Sequence, residues 1–167
     1  AALPRAMRAN VTLFVVGHVG VKAFAAKAKQ LGLDADVHFL GSREDVYALM
    51  QAADLLLHPA YQETAGMVLV EALANGLPVL VTDNCGYAFH VEQAAAGLVI
   101  PGGEGFRQET YDQALRDGLS AFASGVWRAN ALIYAESQDL FRMPRIVVDY
   151  LEHFVMNKRY QNGRSEV

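Results

Sequence analysis

Two glutamates, Glu63 and Glu71, stand eight positions apart in the stretch YQETAGMVLVEALANG, residues 61–76. From Met67 to Ala74 every other side chain is apolar, so Glu71 falls inside a segment that reads as a helix apolar on all sides, and hence as buried. A buried carboxylate is costly without hydrogen-bond donors or a basic neighbour. Two kinds of partner meet that demand: the two hydroxyls of a bound ribose, or a nearby Arg or Lys in a purely structural pair. Glu63 falls in the loop before the helix, as a ligand contact or as a solvated loop residue. Between them Gly66 removes the side chain where the helix begins. Free backbone N–H groups at such a point, together with the helix dipole, favour the negative charge of a diphosphate or the oxygens of a sugar. The chemistry these residues suit is recognition of a nucleotide-sugar. The spacing alone is weak, and its context carries the reading.

The elements that must hold these residues follow from alternating periodicities. VTLFVVG (11–17) is a continuous β-branched apolar run, and VKAFAAKAKQLG (21–32) follows with lysines on one face and Gly32 as its C-cap. Residues 36–41, 43–53 and 54–59 repeat strand, helix and strand. The Glu71 helix closes at Gly76, residues 77–82 and 97–101 are further strands, and GYAFHVEQAAA is the helix between them. Strands alternating with helices of this length predict parallel βαβ units, and the uniformly apolar strands predict cover on both faces of one open sheet. The expected fold class is therefore α/β, a Rossmann-like parallel sheet with helices on both faces, followed by C-terminal helices after residue 106. The last of these, MPRIVVDYLEHFV, has Pro144 near its first turn. Residues 156–167 read as a polar, disordered tail after a domain at 1–155.

In an open parallel sheet ligands collect at the carboxyl ends of the strands. Here that edge consists of residues 17–20, 41–43, 58–66 and 83–87, so Gly17, Arg43, His58 and Glu63 all fall on it. His58 reads as a ligand contact or as a hydrogen-bonded structural histidine.

Composition narrows the function. The chain has 167 residues, 53% hydrophobic, enough for one globular domain with a real core. A net charge of -4 with both signs interspersed offers nucleic acid no broad basic surface. The single cysteine, Cys85, excludes an internal disulfide, suits a reducing compartment and reads as a small buried hydrophobe. No apolar run reaches the roughly 18 residues of a spanning helix, and AALPRAMRAN lacks the apolar core of a secretory signal, so a cytoplasmic protein is expected. The chain also opens without methionine on what looks like the tail of a helix, which reads as a piece of something longer.

Rival chemistries fare worse. The D-x-D of metal-dependent sugar transferases is matched by Asp34-Ala35-Asp36, but at a helix-to-strand junction, the edge opposite the crevice, where it reads as a solvated turn. Gly17 and Gly20 follow the first strand as in a dinucleotide fold, yet the third glycine and the ribose acid are missing. No G-x-S-x-G elbow occurs, and the histidines and the cysteine form no close metal-ligand pair. A non-catalytic nucleotide-sugar-binding module remains as an alternative from another class.

The stretch ETAGMVLVEALANGLPV resembles the E-x7-E signature of the retaining family-4 glycosyltransferases of the two-domain GT-B fold. With LFVVG, HFLGSREDVYALMQAADLLLHPAYQETAG, VTDNCGYAFHVEQAAAGLVI and YAESQDLFRMP, the likeness runs over about residues 3 to 155. It is greatest to the C-terminal domain of the lipopolysaccharide core glucosyltransferases. The resemblance implies transfer of a hexose, normally glucose from UDP-glucose, to an inner-core heptose, with retained anomeric configuration and no metal or other cofactor. It implies that Glu71 grips the ribose, that Glu63 lies beside the donor sugar as the catalytic carboxylate, and that the amides of Ala65, Gly66, Met67 and Val68 hold sugar and diphosphate oxygens. Arg43, in the loop GSR, would flank the uracil, with Gly17 on the same edge. It further implies that the acceptor domain and the first strand of the donor domain, with its diphosphate-gripping Arg and Lys, lie outside this chain. Arg5, Arg8 and Lys22 do not match that motif, although Lys22 falls near the edge. By the same likeness the parent protein is peripheral at the inner membrane, and the last helix crosses to the absent domain. Its Ile146, Val147, Tyr150, Leu151 and Phe154 are then uncovered, which predicts self-association of the fragment.

Overall fold

Strands and helices alternate along the chain in the computed structural model, which describes residues 11–18, 21–122, 124–138 and 140. The order is β1 (Leu13–Val16), α1 (Val21–Gln30), β2 (Val37–Gly41), α2 (Val46–Ala52), β3 (Leu56–His58), α3 (Met67–Ala74), β4 (Val79–Thr82), α4 (Ala88–Ala94), β5 (Gly97–Ile100), a 3-10 turn at Gly103–Gly105, α5 (Gln108–Phe122) and α6 (Val126–Gln138). Each strand and helix expected between residues 11 and 101 is present, shorter by one to a few residues at its ends, and two helices follow after residue 106. Gly32 and Gly76, read as helix stops, both carry a positive φ. The expected last helix, the polar tail, and Arg5 and Arg8 lie outside the described residues. Among those described, no helix is long and apolar enough to cross a membrane.

All strand pairs are parallel. The single open sheet expected from the alternation is instead two: β1 with β2, and β3, β4 and β5 in that order. No described strand pairs across the two.

Cover is also uneven, where the apolar strands predicted burial throughout. β4 is wholly buried, whereas β1 leaves Leu13, Phe14 and Val16 exposed. Alternation explains how β4 is enclosed. Its Val79 and Val81 join Leu69, Leu73, Val91, Ala131 and Tyr134 in a core formed with α3, α4 and α6, while Leu80 packs on the other side with Ile100, Tyr111, Ala114 and Leu115 of β5 and α5. The β4–β5 approach is tight at Gly97, where a Cβ would lie 1.9 Å from the Val79 carbonyl oxygen. Arg128 of α6 donates to the Ala53 carbonyl at 2.8 Å and Asn130 to the Ala95 carbonyl at 2.9 Å, so α6 straps the ends of α2 and α4 together.

Candidate functional site

Between His58, which ends β3, and Met67, which opens α3, the chain crosses the carboxyl edge of the larger sheet. Gly66 is the N-cap of α3, in the left-handed region at φ 81° and ψ 53°, and no side chain caps the helix. Leu69 is the first amide of the helix to be satisfied, donating to the Gly66 carbonyl at 2.9 Å. The amides of Ala65, Gly66, Met67 and Val68 donate to no acceptor among the described residues. Nor does α3 carry an acid in its first turn. Four free donors at an uncompensated positive helix end form a surface for anionic or carbonyl-like oxygens.

Glu63 stands on one wall of a cavity of about 450 Å³, with Thr64. The opposite wall comes from the loop after β4 and from α4: Asp83, Asn84, Cys85, Gly86, Phe89 and Glu92. Three carboxylates make this lining repel phosphate, and they suit the hydroxyls of a neutral, oxygen-rich ligand. Asp83 is already engaged by the Gly102 N–H at 2.8 Å. Both polar atoms of the Asn84 amide are buried without a described partner, as is Nε2 of His58. Burial lowers the His58 pKa, partly offset by the negative charge of Glu63, so the imidazole is held neutral. His58 is thus not the hydrogen-bonded structural histidine that was one of its two readings.

Glu71 is half-buried rather than buried. The all-apolar helix misled here because α3 leaves one stripe open: Met67, Val68, Glu71, Ala74 and Asn75 lie on a common helical face, while Leu69, Val70, Ala72 and Leu73 are sealed. Asn75 on that stripe accepts a hydrogen bond from Gln51 at the end of α2, 3.0 Å, so the stripe is turned toward α2. The Glu71 carboxylate has no ion pair or hydrogen bond among the described residues. The structural pair with Arg or Lys is therefore absent there.

Arg43 and Gly17 lie apart from this loop, at the carboxyl edge of the smaller sheet. The Gly17 amide donates to the Gly41 carbonyl at 2.8 Å. Arg43 forms a bidentate pair with Asp45, at 2.8 and 2.6 Å, which fixes the plane of its guanidinium, raises its pKa and lowers that of Asp45. Asp34 lies in an exposed turn ahead of β2, at the opposite edge, as its reading required. Lys22 is exposed in the first turn of α1. The structure thus groups Glu63, Ala65, Gly66, Met67 and Val68, sets Glu71 further along the same helix, and leaves Arg43 and Gly17 to the other sheet. Sequence reasoning placed residues 83–87 on the crevice edge without assigning them to the site, and missed Phe89 and Glu92 altogether. No local pattern marks those two; they face Glu63 only because β3 and β4 are neighbours.

Residues 1–120 match the family of glycosyl transferases group 1. The chain belongs to this family. Within it, lipopolysaccharide glucosyltransferase WaaG of Escherichia coli K12 is 47% identical over 152 residues, which are 90% of this chain and 40% of WaaG. The crystal structure of WaaG superposes with a TM-score of 0.82 at 48% identity, covering 89% of this chain and 40% of that one. The fold is thus that of this GT-B glycosyltransferase over the matched part. Anabaena HepE in complex with UDP-glucose matches at a TM-score of 0.70 and 28% identity, over 86% of this chain and 41% of HepE. The chain therefore spans about two fifths of the length of these relatives.

Proposed function

We propose that this chain is the donor-binding part of a retaining glycosyltransferase that takes a hexose, glucose foremost, from a UDP-hexose and delivers it to a heptose of the lipopolysaccharide inner core. The observation that carries the reading is the run of four unpartnered amides at the start of α3, flanked by Glu63 at an acidic cavity and by Glu71 on an open stripe. That order fits an extended donor. Arg43 and Gly17 would flank the base, the Glu71 carboxylate would accept from the ribose hydroxyls, the amides would meet the diphosphate, and the sugar would enter the cavity beside Glu63. The amides and the helix dipole would take the charge of the diphosphate without a metal. The kinship to WaaG, named as a lipopolysaccharide glucosyltransferase, supports the acceptor class, and HepE, solved with UDP-glucose, supports the donor.

The division of labour between the carboxylates is testable in the full transferase containing this domain. Glu71→Gln keeps the shape and weakens a charge-assisted hydrogen bond, so UDP affinity falls by about 1–3 kcal/mol in calorimetric titration. Glu63→Ala instead depresses turnover of UDP-hexose far more than it weakens UDP binding, because contacts that strengthen at the developing oxocarbenium centre appear in the rate. Unchanged UDP affinity in the first variant, or equal losses of rate and affinity in the second, contradicts the assignment. This chain by itself binds donor without transferring sugar, since positioning of donor against acceptor is worth on the order of 7–11 kcal/mol and needs both walls of a cleft.

A further inference from the structure

The loop that carries Glu63 and the free amides is held less by its own helix than by the loop that follows β4. The Thr82 hydroxyl donates to the Ala60 carbonyl at 2.6 Å, Glu63 N–H to the Asn84 carbonyl at 3.4 Å, Gly86 N–H to the Glu63 carbonyl at 3.3 Å and Tyr87 N–H to the Ala65 carbonyl at 2.8 Å. Glu63 and Cys85 form a parallel bridge outside the named strands. Two glycines show how closely the loops interlock. A Cβ at Gly86 would lie 2.1 Å from the Thr64 carbonyl oxygen, and one at Gly66 only 2.3 Å from the sulfur of Cys85. Cys85 is 2% exposed, and its sulfur stands 3.6 Å from the Ala65 carbonyl, which it reaches as an S–H donor.

The Ala65 carbonyl is thus drawn inward by two donors, the Tyr87 amide and the Cys85 thiol. A peptide unit is planar and trans, so its N–H points opposite to its C=O. An Ala65 carbonyl turned toward Tyr87 and Cys85 turns the Gly66 N–H away from them, and that N–H is one of the free amides. We propose that Cys85 is a positioning residue of the donor site, its thiol fixing the Ala65–Gly66 peptide plane and its sulfur filling the space beneath Gly66. The proposal rests on the donor-binding function above. Burial raises the thiol pKa, the Tyr87 N–H works against this and the charge of Glu63 adds to it, and the net effect keeps the S–H that the contact needs.

The test compares Cys85→Ala with Cys85→Ser. Both lose the sulfur's bulk, and only the serine keeps a donor. In the full transferase, kcat/KM for UDP-hexose falls about three- to tenfold in Cys85→Ala, the usual weight of one hydrogen bond, and Cys85→Ser recovers most of it although its thermal midpoint is no higher. Amide exchange read in this chain without ligand gives the second arm. Tyr87 N–H, which shares the Ala65 carbonyl, exchanges faster in Cys85→Ala and regains protection in Cys85→Ser. Equal losses in both variants that follow thermal stability, or exchange at Tyr87 unmoved by either, overturn the proposal. A wild-type enzyme that binds no UDP-hexose removes the donor function instead, and the exchange arm still decides whether the thiol holds the loop.

Discussion

β1 and β4 are four-residue strands of nearly the same composition, LFVV and VLVT, yet they end in opposite environments. In β4, Val79, Leu80 and Val81 are at most 1% exposed, whereas Phe14 of β1 is 56% exposed. β4 is covered by α3, α4 and α6 on one face and by α5 on the other, and pairs on both edges. β1 pairs only with β2 among the described strands, and the neighbouring α1 has a single buried residue, Ala28. Apolar composition states what a strand can bury; the layers around it decide what it does bury. The difference bears on the site, because the amides, Glu63 and Glu71 stand on the enclosed half and Arg43 and Gly17 on the open one. On the donor placement proposed above, the diphosphate and sugar would meet the enclosed half and the base the less supported edge.

The largest expected contrast is in stability. Leu73→Ala, at a site with no exposure, costs about 2–5 kcal/mol, and Phe14→Ala stays within about 0.5 kcal/mol, both read from urea unfolding. Similar losses at the two positions would erase the distinction between the halves. A smaller contrast is expected between two glycines of positive φ. Gly17→Ala meets nothing within 4 Å and bears only backbone strain, about 1–3 kcal/mol. Gly66→Ala adds a collision with the sulfur of Cys85, about 1–3 kcal/mol more, and weakens UDP affinity as well. Loss of affinity in Gly17→Ala with none in Gly66→Ala would move the diphosphate to the open half.

The smallest effect is on pH. His58 and His90, both on the enclosed half, have pKa values lowered by burial. The unfolded chain then takes up the proton more readily than the folded one. Their contribution is complete above the ordinary histidine pKa of about 6.5 and is lost as pH falls from there through the folded values. Urea midpoints between pH 7.5 and 5 drop accordingly, and His58→Gln flattens part of that slope. A slope unchanged by the substitution would mean that the His58 ring is as well solvated as one on the open half.

Much of this was legible in the chain. Alternating periods gave the order of strands and helices, and Gly32, Gly76 and Gly66 marked helix ends, because those signals are local. The burial of Cys85 was legible from residue type. Its bond to the Ala65 carbonyl was not, since that depends on a partner twenty residues away brought near by the β3–β4 pairing. Glu71 shows the same limit from the other side. An all-apolar helix predicts cover all round, and only the packing shows which stripe stays open. The division into two sheets was likewise not legible, because the apolar runs of β1 and β3 look alike and only the pairing shows that they belong to different sheets.

Gly97, Gly86 and Gly66 leave a signature that genetics can read. Each is backed within 2.3 Å of where a Cβ would stand, by the Val79 carbonyl, the Thr64 carbonyl and the Cys85 sulfur respectively. In a saturation library all three positions reject every replacement, so a growth screen alone ranks them as equals. Abundance separates them. Variants at Gly97 disappear from the soluble pool, because two strands can no longer meet, whereas those at Gly66 persist in part as folded, inactive protein. A second-site library then relieves Gly66→Ala in part through a smaller residue at 85, because the collision, unlike the backbone strain, is with the far end of a side chain. No such suppressor exists for Gly97, whose obstacle is the backbone itself.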